Sequence, residues 1–153
     1  MGNRLTRRQA EPARKDKHIC LWHLIPFRQK DEVVIMIEQR DLAEFKSAIL
    51  TGVIVGIGSF VLIFDNSVSV LIQCPFACGD EGALKYGHGE NLHSAVVLFE
   101  LLNRRVKETG LEKGEKLVIT FDDRKLLEII PEENGFESYV LTTRHGICPV
   151  SIS

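Results

Sequence analysis

The sequence is poor in cysteine: its 153 residues include only Cys20, Cys74, Cys78 and Cys148. So few thiols do not make the disulfide framework that is typical of small secreted domains. The Arg-rich N-terminus is not followed by the apolar stretch and small-residue cleavage site of a secretory signal. We therefore expect a protein of the reducing cytosol, with a cytoplasmic location.

Recognisable catalytic motifs are also missing. The sequence has no nucleophile elbow and no other serine–histidine or cysteine–histidine signature. Gly52, Gly56 and Gly58 do not make a dinucleotide fingerprint, because a strand rather than a helix is predicted after them. The acidic residues at 65, 122 and 123 lie in predicted turns, where turn chemistry accounts for them. We therefore expect a protein that is not an enzyme and that uses no cofactor.

One segment occurs twice. Residues 60–72 read FVLIFDNSVSVLI, and residues 117–129 read LVITFDDRKLLEI. Each copy is an apolar run, a polar break and a second apolar run, which predicts two strands joined by a tight turn. Asp and Asn favour such turns because their side chains bond nearby backbone groups. We predict two pseudo-repeats, at about residues 41–73 and 91–143.

The alternation of side chains along a strand assigns the faces of both hairpins. One face of each copy is apolar throughout, and its residues are Phe60, Leu62, Phe64, Val70 and Ile72 in the first copy and Leu117, Ile119, Phe121, Leu127 and Ile129 in the second. The other faces differ, with Val61, Ile63 and Leu71 against Val118, Thr120 and Glu128. We expect the first hairpin to be buried on both faces and the second to be half-solvated.

Each half is predicted to be one helix followed by three strands. The first helix is predicted over residues 41–50, with Asp41 as its cap and Glu44 in a capping box. The second is predicted over residues 92–103, with Asn91 as its cap, and it should be buried because it is apolar around most of its circumference. The fold class is therefore α+β, a mainly antiparallel sheet with one or two helices packed on it.

The remaining segments are predicted to be strands, loops and turns. The strands lie at residues 106–111 and 135–143. The stretch 74–82 has no assigned element and is followed by a Gly-rich loop to about residue 90, and residues 144–149 turn away into a terminal piece. The uncharged run at residues 47–64 is long enough to cross a membrane. We predict no membrane span there, because the aligned region of the second copy, residues 104–116, carries eight charges.

Charge divides the chain into two parts. Residues 1–30 carry eight basic and two acidic residues, a net charge of +6, whereas residues 31–153 carry eleven basic and nineteen acidic residues, a net charge of −8. We predict that residues 1–30 are a basic tail with an apolar docking segment, Ile19–Phe27, and that residues 31–153 are a single domain. The acidic domain does not suit nucleic acid, whose phosphates need cations, but it does suit a basic protein partner.

Loop and turn carboxylates are the candidate contacts to such a partner. They are Asp80, Glu81, Glu90, Asp122, Asp123, Glu132 and Glu133. Negative charge at these positions would steer a basic protein toward the domain and pair with its lysines and arginines.

A second set of residues has a spacing close to that of zinc ligands. Cys74, Cys78, His88 and His93 follow the pattern C-x3-C-x9-H-x4-H. We expect reduced cysteines and no metal, because Cys74 ends a predicted strand and His93 opens a predicted helix. A zinc-stabilised structural domain is the alternative for these four residues.

The order of these elements resembles a group of small bacterial proteins over roughly residues 42–150. The resemblance rests on the two Phe-Asp-Asn/Asp hairpins, the stretch Cys74-Pro75-Phe76, the second helix, the segment Lys116–Asp123, and Gly135–Val140 with Gly146. Such proteins occur as uncharacterised domains and among the immunity proteins of polymorphic toxin systems, including contact-dependent growth inhibition (CDI). The immunity proteins of this group bind and block a cognate toxin domain, often a nuclease, inside the cell.

The leading hypothesis is therefore a cytoplasmic, non-enzymatic immunity protein whose partner is a toxin domain, most simply a basic nuclease. The alternatives are a nucleic-acid-associated module that uses the basic tail, and a zinc-stabilised structural domain. The sequence does not set the oligomeric state.

Overall fold

Ten antiparallel strands form two sheets in the part of the chain that the structure describes. The structure is a computed structural model that describes residues 37–113 and 115–152, all within the unit Val34–Ser153. The strands are β1 (Leu50–Gly56), β2 (Ser59–Phe64), β3 (Ser69–Ile72), β4 (Pro75–Asp80), β5 (Ala83–His88), β6 (Val106–Glu112), β7 (Lys116–Phe121), β8 (Lys125–Ile129), β9 (Glu137–Thr143) and β10 (Gly146–Ser151). Sheet I has the order β1-β2-β3-β9-β10, and sheet II has the order β5-β4-β8-β7-β6. The fold is α+β, with strands dominating.

Each sheet contains strands from both halves of the chain. In sheet I the meander β1–β3 comes from the first half, and β9 of the second half pairs with β3. In sheet II the meander β6–β8 comes from the second half, and β4 of the first half pairs with β8. The hairpins β4–β5 and β9–β10 therefore each complete the sheet of the opposite half.

The two predicted hairpins are confirmed. The core-facing pairs are Phe60 with Ile72 and Leu62 with Val70 in sheet I, and Leu117 with Ile129 and Ile119 with Leu127 in sheet II. All ten residues predicted to face the core are buried. The alternation of apolar residues therefore set both the faces and the register of these strands correctly.

The predicted difference between the outer faces is wrong. Val61, Ile63 and Leu71 of sheet I are half-buried, as are the corresponding residues Val118, Thr120 and Glu128 of sheet II. The first hairpin therefore has an apolar outer face without the full burial that its composition predicted.

The inner faces of the two sheets pack against each other. Phe60 of sheet I and Phe76 of sheet II meet edge to face, with ring centroids 6.2 Å apart, and both are fully buried. Phe45 packs in the same manner on Phe64, at 5.3 Å. Tyr139 is also buried, and its hydroxyl donates a hydrogen bond to a backbone carbonyl. Burial of large apolar side chains at about 1.5–3 kcal/mol each makes this core the main stabilising contribution.

The first helix is shorter than predicted and starts earlier. Helix α1 spans Gln39–Ala43, and its N-cap is Glu38 rather than Asp41. Asp41 is the third helical residue, and its carboxylate accepts a hydrogen bond from the Glu38 backbone N–H at 2.9 Å. The helix does not extend to residue 50, because Ser47 takes a positive φ of 66° and the residues after it pair with the second half of the chain.

The second predicted helix is divided into three short pieces. They are a 3-10 turn at Leu92–Ser94, helix α2 at Ala95–Leu98, and a 3-10 turn at Phe99–Leu101. Asn91 caps the segment as predicted, because its side chain accepts a hydrogen bond from the His93 N–H at 3.1 Å. The prediction of burial all round is wrong, since one stripe of the segment is exposed: Leu92, Val96, Phe99 and Leu102. Only the opposite side packs on β4 and β5.

Three strands were missed by the sequence analysis. Strand β4 occupies the stretch that had no assigned element, β5 occupies the predicted Gly-rich loop, and β10 occupies the predicted terminal turn. Gly82 takes a positive φ of 85°, which permits the tight turn between β4 and β5. Gly79 within β4 takes a φ of 143°, and a Cβ there would lie 3.0 Å from the Ala83 carbonyl oxygen. The glycines in this region mark a hairpin rather than an irregular loop.

The two halves meet where the helical segments pass into β1 and β6. Ser47 N–H donates to the Val106 carbonyl at 3.0 Å, and Asn103 N–H donates to the Leu50 carbonyl at 2.8 Å. A bridge between Ile49 and Arg105 lies between these two bonds. We call this set of contacts the junction. It satisfies the backbone groups of both helix ends, each with the chain of the other half.

Phe60→Ala removes one ring of the contact between the sheets, so it should lower the free energy of unfolding by about 3–5 kcal/mol. Phe136→Ala makes the same change at a side chain that is 75% exposed, and it should change that free energy by less than about 0.5 kcal/mol. Urea denaturation of both variants measures the difference. Equal effects would contradict the central position of Phe60.

Candidate partner-binding site

The seven predicted contact carboxylates lie at opposite ends of sheet II. Four of them follow the C-terminal ends of β4 and β7: Asp80, Glu81, Asp122 and Asp123. The other three follow the C-terminal ends of β5 and β8: Glu90, Glu132 and Glu133. The structure therefore does not bring the seven residues together as one surface.

The first group is partly neutralised by cations of the domain itself. Lys125 Nζ lies 3.0 Å from Asp80 Oδ1, and Arg104 forms an ion pair with Asp123. The hydrogen bond to Asp80 is the main cause that raises the pKa of Lys125 above its usual value. Glu81 donates its backbone N–H to the Arg124 carbonyl at 3.1 Å. This end of the sheet carries mixed charge, which offers a basic partner little net attraction.

The second group lies beside a cleft of about 450 Å³. We call it the acidic cleft, and it is lined by Gln73, Glu90, Glu132, Asn134, Phe136, Glu137 and Ser138. Three of these side chains are carboxylates and the other polar ones are neutral. No lysine or arginine of the described residues forms an ion pair with Glu90, Glu132 or Glu137, and the His88 imidazole lies beside Glu132, with Nε2 3.6 Å from the carboxylate.

Backbone geometry fixes one side of the cleft. Glu90 follows Gly89, whose N–H donates to the Cys74 carbonyl at 3.0 Å. A Cβ atom at Gly89 would lie 2.3 Å from the Ile72 carbonyl oxygen, so only glycine fits this close approach. The Glu90 N–H donates to His88 Nδ1 at 3.2 Å. The start of the Glu90 side chain is therefore held against the end of β3.

The turn between β8 and β9 forms the other side. Glu132 N–H donates to the Ser138 hydroxyl at 3.1 Å, which ties both ends of the turn together. Phe136 N–H donates to Asn134 Oδ1 at 3.0 Å, and Gly135 takes a positive φ of 73°. Phe136 is left 75% exposed at the rim. An exposed aromatic ring beside carboxylates can bind the side chain of a lysine or arginine through its face.

Glu137 and Phe136 are site residues that sequence reasoning missed. They follow the acidic turn at residues 131–135, which was recognised. The signal available in the sequence was the position of the aromatic residue Phe136, directly after the polar turn that ends at Gly135. At such a position an apolar side chain has no neighbouring strand to pack against. That signal indicates exposure of the ring, but it does not place the ring beside Glu90.

The four possible zinc ligands do not form a metal site. Cys74 and Cys78 are buried in the core, and the Cys78 thiol donates to the Val97 carbonyl at 3.4 Å. His88 Nδ1 accepts the hydrogen bond from Glu90, and His93 is exposed on the helical segment. Within residues 37–113 and 115–152, no three His, Cys, Asp or Glu residues are arranged to hold a metal ion.

Burial raises the pKa of Cys74 and Cys78 from 9.0 to about 12. Both thiols are therefore protonated at neutral pH, which does not suit nucleophilic catalysis. Stability from the neutral thiols is fully present below their unfolded pKa and is lost as the pH rises toward about 12.

Two further predictions concern the membrane and the N-terminus. None of the described helices is long and apolar enough to cross a membrane. The basic tail and the apolar segment Ile19–Phe27 lie outside the described residues, so their predicted roles stay predictions.

In the variant Cys20→Ser, the three remaining thiols should not react with a disulfide reagent at pH 8 while the protein is folded. Cys74, Cys78 and Cys148 are buried, and a pKa of about 12 leaves roughly 10⁻⁴ of Cys74 and Cys78 as thiolate. All three should react after unfolding in guanidinium, which is the control. Rapid modification of the folded protein would contradict this arrangement.

Comparison with known proteins does not assign this chain to a family. No family model matches the chain, no curated protein matches it, and no solved structure matches it.

Proposed function

We propose that the domain is a non-enzymatic immunity protein of the cytoplasm that binds and neutralises a toxin domain with a basic surface. The observation that supports this most directly is the acidic cleft. It has three carboxylates that no described lysine or arginine neutralises, beside an exposed aromatic ring.

Electrostatics favours a basic protein as the occupant of the cleft. Like charges around one cleft raise its negative potential and steer a basic partner toward it. A lysine or arginine of the partner that enters the cleft can pair with Glu132 or Glu137 while its stem packs on Phe136. At the other end of sheet II, Lys125 forms an ion pair with Asp80 and Arg104 forms one with Asp123. A basic partner therefore gains less binding energy from these carboxylates.

Neutralisation by occlusion follows from the chemistry of a nuclease. A nuclease binds the phosphates of its substrate through lysines and arginines. Carboxylates that pair with these side chains exclude the nucleic acid from the same surface. This mechanism needs no catalytic group, in keeping with the neutral, buried thiols of this domain.

The binding test uses the domain encoded by the adjacent upstream reading frame, which is the toxin under this proposal. Glu132→Gln/Glu137→Gln should weaken its binding at least about tenfold and reduce the salt dependence of the dissociation constant. Asp80→Asn/Asp123→Asn removes the same charge from the opposite end of sheet II and is the matched control. It should change the dissociation constant less than about threefold, because those carboxylates are paired within the domain.

A growth assay tests the proposed function separately from the proposed binding site. Co-expression of the unchanged chain should restore growth in cells that produce the toxin domain. Failure to bind that domain and to protect cells would contradict the proposed function. Binding that Asp80→Asn/Asp123→Asn weakens more than the other pair would contradict the acidic cleft as its site.

We also propose that the domain is a duplicated unit of one helical segment and five strands. Several facts support it: sheets I and II have equivalent strand orders, β1 and β6 each have a register shift at their start, and the contacts of the junction are reciprocal. In addition, Asp65 N–H donates to the Ile49 carbonyl, and Asp122 N–H donates to the Arg105 carbonyl. Under this proposal the last hairpin of each unit pairs with the opposite sheet.

The equivalence of the two hairpin turns is testable by exchange. Asp123→Asn/Arg124→Ser gives the second turn the residues of the first and should change the free energy of unfolding by less than about 1 kcal/mol. Ser67 and Arg124 both take positive φ, at 70° and 60°. Asp123 also takes positive φ, at 55°, which asparagine tolerates, so the second turn accepts the residues of the first. Asp123→Val/Arg124→Val is the control and should destabilise by about 1–3 kcal/mol per residue, because branched side chains disfavour positive φ. A large loss in the first variant would contradict the equivalence.

A further inference from the structure

Among the strands that the structure describes, three of the four edge strands have residues that hinder pairing with another chain. β10 contains Pro149, β5 contains Lys85, and β6 contains Lys107 together with two glutamates. Proline and charged side chains are the usual means by which edge strands avoid association. β1 is the fourth edge strand, and its seven residues include neither proline nor any charge.

Apart from Thr51, whose hydroxyl donates to the Ile63 carbonyl, the exposed side chains of β1 and of the turn after it are apolar. Ile54 is 54% exposed, Val55 is 42% exposed, and Ile57 in the turn is 98% exposed. They lie within the uncharged run at residues 47–64, so no nearby charge interrupts them. An edge strand with this composition presents both unpaired backbone groups and apolar surface to another strand.

The apolar surface continues from β1 across the outer face of sheet I. The pairing registers place one row of side chains across all five strands: Ile54, Val61, Leu71, Val140 and Pro149. In sheet II the strands β6, β7, β8, β4 and β5 take the places of β1, β2, β3, β9 and β10. The corresponding row of residues in sheet II is Gly110, Val118, Glu128, Ala77 and Tyr86. Sheet I therefore has a charge-free row that ends at β1, and sheet II does not.

We propose that β1 pairs antiparallel with β1 of a second copy of this chain, which joins the two copies of sheet I into one ten-stranded sheet. The inference does not depend on the proposed function. Antiparallel pairing of a strand with its own copy is self-complementary, because a two-fold axis relates both sides. The apolar rows of the two copies then meet at the axis.

Charge favours a second copy as the occupant. Residues 31–153 carry a net charge of −8, so two copies repel each other at most orientations. The β1 edge is where two copies approach without placing like charges opposite each other. A basic partner finds no carboxylate on this edge to pair with.

Sedimentation of the full chain between about 1 and 100 μM tests the proposal. The unchanged protein should form a dimer whose population rises with concentration. Ile54→Lys places two like charges near the axis and should raise the dissociation constant at least about tenfold. Val96→Lys makes a similar change at a side chain that is 62% exposed on α2, and it should leave the dimer intact. Thermal unfolding of each variant checks that it is folded.

Hydrogen exchange on the unchanged protein gives a second test that needs no variant. Protection of the β1 amides should increase with protein concentration, while that of the other three edge strands, β5, β6 and β10, should not. A monomer at all concentrations overturns the proposal, as does a dimer that Ile54→Lys leaves intact or protection that does not depend on concentration.

Discussion

Each sheet of this domain is completed by a hairpin from the opposite half of the chain. Strand β9 pairs with β3 and strand β4 pairs with β8, so neither meander has its full set of neighbours without the other half. The inner faces then pack through Phe60 and Phe76, which come from different sheets but from the same half. Backbone pairing therefore joins the two halves of the chain, while this ring contact joins the two sheets. Together they couple both sheets in one folding unit.

Much of this arrangement was readable from local patterns. The period of two gave the buried faces of both hairpins, because one face of each strand was apolar throughout. The pairing of the hairpins β4–β5 and β9–β10 with the sheet of the opposite half could not be predicted from the sequence, since pairing between distant strands leaves no local pattern. We call this pairing the exchange of hairpins. Gly79, Gly82 and Gly89 suggested a loop, because the strand pairing around them also leaves no local pattern. In the fold these glycines permit a tight turn and close backbone contacts. The second helical segment was misread because apolar composition alone does not distinguish buried residues from exposed ones.

The candidate site shows the same limit. Sequence identified the acidic loops, and two of the predicted carboxylates, Glu90 and Glu132, line the acidic cleft. It could not separate Glu132 from Asp80, because the ion pair of Asp80 with Lys125 depends on the pairing of β4 with β8. The exchange of hairpins also brings the turn before β9 next to Glu90, which follows β5. The cleft is therefore a product of the exchange, and its residues come from both halves of the chain.

Native-state hydrogen exchange in increasing denaturant tests the central claim, that the exchanged hairpins make both sheets one cooperative unit. The slowest amides of β2 and β3 in sheet I and of β7 and β8 in sheet II should give the same free energy of opening, equal to that of global unfolding. If one sheet opens at a distinctly lower free energy while the other stays protected, the sheets fold as separate units and the account is contradicted.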